Sequence, residues 1–366
     1  MELNIHHAVL GAAFAMAAIM GAVVHRTHFC TMGAVSDWVN FGDSGRLRAW
    51  LLAIAVAMLG LAGLEASGLV QLDGTTFPPY RSPEFNWARH VAGGLMFGTG
   101  MTLASGCGNR TLVRLGAGNL KSLVVLAVAA ACAYLFMWGD GYARAVQPLL
   151  APLSVDLTAN GKSGQTLGDL FGMNNAKTGL VLGVALLAAI FANRQFRRSP
   201  EHLLGGLTVG LAVAAAWYLT AGAPGLAWQE WAQFADQPPQ RVAPQSYTFI
   251  SPLGDTVHWL GKPLDLRRID FGMLAAAGVV FGGFVHALFT RTLRFEWFAS
   301  GADVMRHVCG AALMGSGGVI GLGCTIGQGV SGVSTLALGS FLTLAAIITG
   351  AAATMKFEYW RLMRAV

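Results

Sequence analysis

Long apolar stretches, separated by short polar connections, run along almost the whole chain. A stretch of about 17 to 24 mostly uncharged residues is long enough for a helix to cross the hydrocarbon core of a bilayer. Nine segments have this character, near residues 8–24, 47–70, 88–105, 119–139, 177–193, 202–222, 269–290, 303–322 and 335–354. The pattern therefore predicts an all-α polytopic membrane protein with about nine transmembrane helices.

Four shorter segments between these stretches are partly apolar and contain glycine. They are Phe29–Phe41, Asn109–Gly118, Pro252–Leu260 and Ile326–Ser334. Each is too short to cross a bilayer and too apolar for a solvent loop. We therefore expect four re-entrant half-helices, which are typical of transporters and channels.

The composition strengthens the membrane assignment. Of 366 residues, 54% are hydrophobic and only 11% are charged, whereas a soluble domain carries about a quarter charged residues. The 48 glycines suit helices that approach one another closely in lipid. This balance excludes a soluble globule, a disordered chain and a disulfide-stapled secreted domain.

The net charge of +6 does not indicate nucleic acid, because the basic residues occur singly or in small groups at the ends of apolar runs. They are typical topology signals. If nine spans alternate, 15 of the 24 lysines and arginines fall on one side, including the group Arg194, Arg197 and Arg198. We expect that side to be cytoplasmic, with the N-terminus outside and the C-terminus inside. Tryptophans near the outer span ends are expected at the membrane interface: Trp217, Trp228, Trp231 and Trp259.

The chain also contains an internal repeat. Residues 90–107 (HVAGGLMFGTGMTLASGC) and 307–324 (HVCGAALMGSGGVIGLGC) align without gaps at an offset of 217, with seven identities in 18 positions. A similar offset places Asp37 opposite Asp255 and Cys30 opposite Thr248. The predicted organisation is a first membrane repeat over 1–140, an outer loop and linking helix over 141–200, and a second, inverted repeat over 201–366.

Three of the five cysteines each open a predicted half-helix: Cys30 in HFCTMG, Cys107 in SGCGNR and Cys324 in LGCTIG. Free backbone N–H groups and the positive end of the helix dipole favour an anion at such a position. A neutral thiol adds a weak, polarizable donor that suits an anion with a soft sulfur end. Cys132 and Cys309 lie in mid-span and are interpreted as packing residues. No cysteine spacing indicates a metal site, and no cofactor is expected.

Further residues are candidates for the substrate path. Gly106, Gly108 and Gly323, with Gly327, are expected to let a ligand reach the backbone. Hydrogen-bonding groups are expected from Asn109, Thr111, Thr325, Gln328, Ser331 and Ser334, and positive charge from Arg110 and Arg114. Glu65 is an acid inside a span and hence a functional candidate, whereas Asp37 and Asp255 are expected to cap or brace the half-helices.

Three cysteine-bearing motifs follow one another along the chain: HRTHFCTMGAVSDW, SGCGNRTLVRLGAGNLKSL and GLGCTIGQGVSGVSTLALGSF. In their order and spacing the chain resembles the YeeE/YedE family of bacterial sulfur-compound transporters. The resemblance implies an inner-membrane protein with an hourglass-like inverted repeat that takes up thiosulfate between thiols, in some members with a small cytoplasmic sulfur-handling partner. By this likeness Cys30, Cys107 and Cys324 take the family's three cysteine positions.

The motifs depart from a common family form, GCTSGHG, since this chain has GCGNRTL and GCTIGQG. Another reduced sulfur oxyanion or a selenium compound therefore stays open as the substrate. A membrane disulfide oxidoreductase or sulfurtransferase is a different class of function, but it needs a resolving cysteine or a base near the thiol, and the sequence indicates neither. A soft-metal permease would be expected to use carboxylates or histidine-rich outer loops.

Overall fold

The computed structural model describes residues 5–72 and 74–365. The chain is 73% helical and contains little sheet. Within the described ranges, nine helices have at least 17 residues: α1 (Ile5–Thr27), α3 (Gly45–Ala66), α4 (Trp87–Leu103), α6 (Leu120–Met137), α9 (Asn175–Phe191), α11 (Pro200–Ala221), α14 (Phe271–Phe289), α15 (Gly301–Ile320) and α16 (Leu338–Ala365).

Shorter elements lie between the long helices. The short α-helices are α2 (Thr31–Phe41), α5 (Gly108–Gly116), α7 (Gln147–Leu150), α8 (Leu167–Phe171), α10 (Arg194–Arg197), α12 (Ala223–Phe234) and α13 (Ser251–Leu260). Two segments are π-helical, Tyr142–Val146 and Gly327–Gly332, and 3-10 turns occur at Ala151–Leu153, Thr158–Asn160 and Leu266–Arg268. Strand β1 (Glu84–Asn86) pairs antiparallel with β2 (Ser154–Asp156).

In the part of the chain that the structure describes, six helical segments are long and apolar enough to cross a membrane: Ile5–Phe41, Gly45–Ala66, Leu120–Met137, Pro200–Ala221, Phe271–Phe289 and Leu338–Arg364. The prediction of a predominantly helical multi-pass membrane protein is thus confirmed. Helices α4, α9 and α15 occupy the other three apolar segments of the sequence. These three helices are not among the six apolar segments above. Helices α4 and α9 are short, with 17 residues each, and α15 is less apolar, with Asp303 and Arg306 in its first two turns.

The long helices pack through glycine and alanine contacts. Helices α1 and α14 run side by side in the same direction, and so do α3 and α11. Helices α4 and α15 are antiparallel, with Gly93 facing Gly317 and Gly100 facing Gly310. A Cβ atom added at Gly93 would lie 2.8 Å from the carbonyl oxygen of Gly317, so these backbones touch directly.

Some polar segments pass through the core instead of staying at its surface. Residues 244–250 are buried throughout. Trp217 and Trp228 are also completely buried, so their prediction as interfacial residues is wrong. The indole N–H of Trp217 donates to Ser334 Oγ at 3.2 Å, and that of Trp228 donates to His6 Nδ1 at 3.0 Å. A tryptophan whose N–H is hydrogen-bonded can be buried.

Candidate functional site

The three motif cysteines follow the same kind of backbone turn. Two residues before each of them lies a non-glycine residue in the left-handed region: His28 (φ 51°), Ser105 (φ 59°) and Leu322 (φ 62°). These residues come just after the ends of α1, α4 and α15. Left-handed conformations at non-glycine residues are costly and are concentrated at functional sites. The turn ends each long helix and brings the following cysteine back into the core.

Cys30 and Cys107 are the residues immediately before α2 and α5. Both have extended backbones, so their side chains lie at the N-terminal ends of the helices. The Cys30 sulfur accepts a hydrogen bond from the backbone N–H of Gly33 at 3.4 Å. The Cys30 and Cys107 thiols are also neighbours in the core. The fold thus places side by side two thiols that are 77 residues apart in the chain.

Cys324 is fully buried and is held by backbone donors. Its sulfur accepts hydrogen bonds from the N–H groups of Phe249 and Gly327, each at 3.4 Å, and lies 4.0 Å from the Thr248 hydroxyl. The core segment 244–250 therefore supplies part of this thiol's surroundings. Only the repeat, which places Thr248 opposite Cys30, pointed to this segment from the sequence.

The segment after Cys324 differs from the predicted α-helical half-helix Ile326–Ser334, because Gly327–Gly332 is a π-helix. Its wider turn is closed by the N–H of Ser331, which donates to the carbonyl of Ile326 at 2.9 Å. Three glycines in six residues permit this geometry, and at Gly327 an added Cβ would lie 2.5 Å from the Thr248 hydroxyl. The Tyr80 hydroxyl reaches in from the loop before α4 and donates to the carbonyl of Gly327 at 2.7 Å. π-Helical turns are frequent at functional sites.

The three cysteines belong to one buried cluster. Cys107 has both the Cys30 thiol and Thr325 as neighbours. Thr325 is the residue after Cys324. All three cysteines are buried, and their role in one substrate site stays a prediction.

Several polar atoms in this region are buried without a conventional hydrogen-bond partner among the residues that the structure describes. They include Asn109 Oδ1, Arg110 Nη1, Thr325 Oγ1 and Gln328 Oε1. The amide nitrogen of Gln328 donates to the carbonyl of Gly321 at 2.9 Å, so its oxygen has the free hydrogen-bonding capacity. Buried polar atoms are normally satisfied by protein, water or a ligand. Their concentration beside the thiols is what a polar ligand site requires.

Arg110 supplies the positive charge of the site. Its guanidinium lies close enough to the Cys30 and Cys107 thiols to interact with both electrostatically, and its Nη2 is 3.2 Å from His28 Nδ1. Among the described residues it forms no ion pair with a carboxylate. Arg114, one helical turn further on, instead donates to the Ser105 carbonyl at 3.1 Å.

The acidic side chains that the sequence singled out form salt bridges with arginines. Glu65 pairs with Arg81 at 2.6 Å, and both side chains are largely buried. Asp37 pairs with Arg46. Asp255 pairs with Arg241 at 2.7 Å, and Asp270 shares that arginine at 2.8 Å. Each of these carboxylates thus has an arginine partner, and a part for Glu65 in the chemistry stays a prediction.

The candidate glycines differ in backbone conformation and in the space that an added Cβ atom would have. At Gly323 the φ angle of 156° requires glycine. At Gly108 an added Cβ would lie 3.3 Å from the Ile250 side chain, so the space is tight. At Gly106 an added Cβ would make only ordinary contacts with Thr111 and Arg110. Cys132 in α6 is half-buried and Cys309 in α15 is exposed.

No spacing of cysteines along the chain indicates a resolving cysteine, but the structure places the thiols of Cys30 and Cys107 near each other. Cys30 and Cys107 are far apart in the chain, but their thiols meet because α2 and α5 both start in the core. The contact between α1 and α5 brings the two helix starts together. Segment 244–250, Tyr80 and the three left-handed residues are further parts of the site that spacing alone did not reveal.

These observations define a multi-pass membrane protein with three buried motif thiols near an arginine that has no carboxylate partner among the described residues. The sequence profile of the family described as "Sulphur transport" matches residues 26–353. The chain therefore belongs to this sulphur-transport family, and its resemblance to the YeeE/YedE proteins is confirmed.

Two relatives are similar to the chain over most of its length. The thiosulfate transporter TsuA of Escherichia coli (strain K12) is 25% identical over 342 residues, which are 91% of this chain and 90% of that protein. The thiosulfate transporter TsuA of Spirochaeta thermophila is 24% identical over 343 residues, 91% of this chain and 94% of that protein. These matches support a role in sulfur transport for this chain.

Proposed function

We propose that this protein takes up thiosulfate across the bacterial inner membrane along a path that runs past Cys324, Cys107 and Cys30. The observation that carries the proposal is the buried cluster of three thiols with Arg110 beside it. The names of the two relatives supply the substrate. The protein acts as a transporter and catalyses no covalent reaction.

The chemistry of the cluster suits thiosulfate better than a hard oxyanion. Thiosulfate has a soft terminal sulfur and three oxygens. A neutral thiol is a weak, polarizable donor that matches the soft sulfur, while Arg110 and the free polar atoms can bind the oxygens. Sulfate has no soft end, so it gains nothing from the thiols. The proposal assigns substrate contacts to Gly106, Gly108, Asn109, Arg110, Gly323, Thr325 and Gln328, in addition to the three cysteines.

We further propose that the fold is an inverted repeat of nine spans and four half-helices over the boundaries 1–140, 141–200 and 201–366. The helix packing supports this proposal. At the offset of 217, Gly93 corresponds to Gly310 and Gly100 to Gly317. The contact between Gly93 and Gly317 then has its equivalent in the contact between Gly310 and Gly100, and both are present. Two segments related in this way lie antiparallel across a two-fold axis.

The surroundings of the thiols follow the same relation. The repeat matches Cys107 with Cys324 and Cys30 with Thr248. Cys107 lies near Cys30, and Cys324 lies near Thr248. With the C-terminus in the cytoplasm, Cys324 belongs to the outer half of the membrane and Cys30 and Cys107 to the inner half. Thiosulfate would then meet Cys324 first and could leave toward a small cytoplasmic sulfur-carrier protein.

Uptake of radiolabelled thiosulfate into proteoliposomes tests the proposal. We expect saturable uptake that is inhibited strongly by unlabelled thiosulfate and weakly by sulfate, with sulfite and selenite as further competitors. The variants Cys30→Ala, Cys107→Ala and Cys324→Ala should take up much less, whereas Cys309→Ala, with its exposed thiol, serves as the matched control. Strong uptake of selenite or sulfite with none of thiosulfate would move the substrate to that anion.

The contact between Cys30 and Cys107 also favours a second candidate, a membrane thiol oxidoreductase or sulfurtransferase. Such an enzyme would cycle between the paired thiols and a disulfide or a persulfide. Alkylation of the purified protein before and after reduction separates the two functions. A transporter should show thiols that thiosulfate protects from alkylation, and an oxidoreductase should show labelling of Cys30 and Cys107 that depends on reduction.

A further inference from the structure

Two histidines meet at one end of the parallel helices α1 and α14. His25 Nδ1 lies 2.8 Å from His286 Nδ1, and the ring centroids are 5.0 Å apart. Each residue is in the last turn of its helix. The pair is partly buried. His25 is the first residue of the motif that contains Cys30, whereas His286 lies outside the three cysteine motifs.

The geometry of this pair fixes how many protons it can hold. Two ring nitrogens 2.8 Å apart have room for one hydrogen between them, so one ring donates and the other accepts. An added proton can bind the outer nitrogen of the donating ring, which makes that ring an imidazolium and strengthens the shared hydrogen bond. A second added proton would put hydrogens on both facing nitrogens and break the contact. The pair therefore holds one added proton.

The charged groups around the pair connect it to the thiols. His25 faces His286 from α14, Arg110 from α5 and His28 from its own connection. His28 in turn faces Arg110, Glu201 from α11 and Arg46 from α3. Arg110 interacts with the Cys30 and Cys107 thiols. An anion at these thiols would therefore lie within electrostatic reach of the histidine pair.

We propose that the His25–His286 pair is a proton-binding site that couples inward movement of the anion to inward movement of a proton. The inference rests on the proposed function. A dianion that moves inward alone is opposed by an inside-negative membrane potential, and each proton that moves with it removes one unit of that opposing charge. The anion at Cys30 and Cys107 stabilises the proton on the pair, and by reciprocal linkage the proton stabilises the bound anion.

The coupled step balances without any further reactant. One proton enters with the anion along the same path and binds the outer imidazole nitrogen. Anion and proton then leave together on the cytoplasmic side, where the pair lies at the ends of α1 and α14. No covalent bond to the anion is made or broken, and no electron is transferred.

Two measurements on the same proteoliposomes test the coupling. The first is exchange of labelled for unlabelled thiosulfate with equal pH on both sides, which reports transport without net proton movement. The second is net accumulation of thiosulfate with the interior one pH unit more alkaline and the membrane potential held at zero. For wild type we expect accumulation to rise by about tenfold for each coupled proton. The double variant His25→Gln/His286→Gln should lose this response while its exchange remains measurable.

The outcomes separate the inference from the function on which it rests. If wild type exchanges thiosulfate but accumulates none in response to the pH gradient, the coupling is refuted and the transporter assignment stands. If wild type does not exchange thiosulfate at all, the proposed function itself fails. Should the double variant be too unstable to exchange, His286→Gln alone provides the comparison, and a full gradient response in it also refutes the proposal. His7→Gln, which changes an exposed histidine, is the matched control.

Discussion

Replacing Cys324 with serine separates a soft-sulfur role from a simple hydrogen-bonding role. Serine keeps a hydroxyl donor at the same position and removes little volume. The carbon–oxygen bond is shorter than the carbon–sulfur bond, so the hydroxyl lies further from the two N–H groups that now donate to sulfur at 3.4 Å. Oxygen acceptors require shorter contacts, roughly 2.7–3.2 Å. The substitution therefore weakens the bonds to Phe249 and Gly327 and replaces a soft donor with a hard one.

The size of the effect follows from these contacts. A buried donor left without an acceptor costs about 1–3 kcal/mol, and the lost thiol contact weakens substrate binding further. We expect the efficiency of thiosulfate uptake to fall roughly 5- to 150-fold, the range that corresponds to a coupling of 1–3 kcal/mol. Alanine should be only slightly worse than serine, because it also removes the soft donor and leaves the same two N–H groups unpaired.

The assay is initial uptake of labelled thiosulfate in proteoliposomes, normalised to the amount of folded protein. Thermal unfolding in detergent, measured on the same samples, shows whether a loss of uptake reflects a loss of stability. Cys309→Ser is the matched control, since its thiol is exposed on α15. Wild-type uptake by the serine variant at equal protein level would refute the soft-sulfur argument, and Cys324 would then be a packing residue.

Three further predictions concern the fold. The substitution Gly93→Ala adds a Cβ against the backbone of α15 and should lower the free energy of unfolding by about 1–3 kcal/mol. Gly11→Ala is the control, because nothing lies within 4 Å of a Cβ added there. Equal melting temperatures for the two variants would contradict the close packing. Glu65→Gln leaves Arg81 without its buried partner and should lower the free energy of unfolding by about 3–5 kcal/mol. Asp140→Asn, in an exposed ion pair, should have no measurable effect in the same unfolding experiment. A fusion reporter at the C-terminus that is active only in the cytoplasm should be active, and a signal from a periplasm-specific reporter instead would reverse the proposed orientation.

The hydrophobic pattern along the chain was enough to predict the class of protein. In lipid every backbone N–H and C=O must be satisfied within the chain, so apolar runs of sufficient length can only become helices. For this reason the long helices lie close to the apolar segments, and the cysteine motifs lie in the short segments between them. The sequence also predicted that Asp37 and Asp255 cap or brace the half-helices. A carboxylate in an apolar region needs a cation beside it.

Which of these groups lie near one another depends on how the helices pack. The contact between Cys30 and Cys107, the pairing of Glu65 with Arg81 and the burial of segment 244–250 all join residues whose separation in the chain carries no signal of their proximity. The π-helical turn after Cys324 could not be predicted from the sequence either, because its glycines permit several backbone geometries. The packing of Thr248 and Tyr80 selects one of them. Hydrophobic patterning acts within a few helical turns, whereas a binding site is assembled by helix packing, and packing depends on the shapes of surfaces that come from distant parts of the chain.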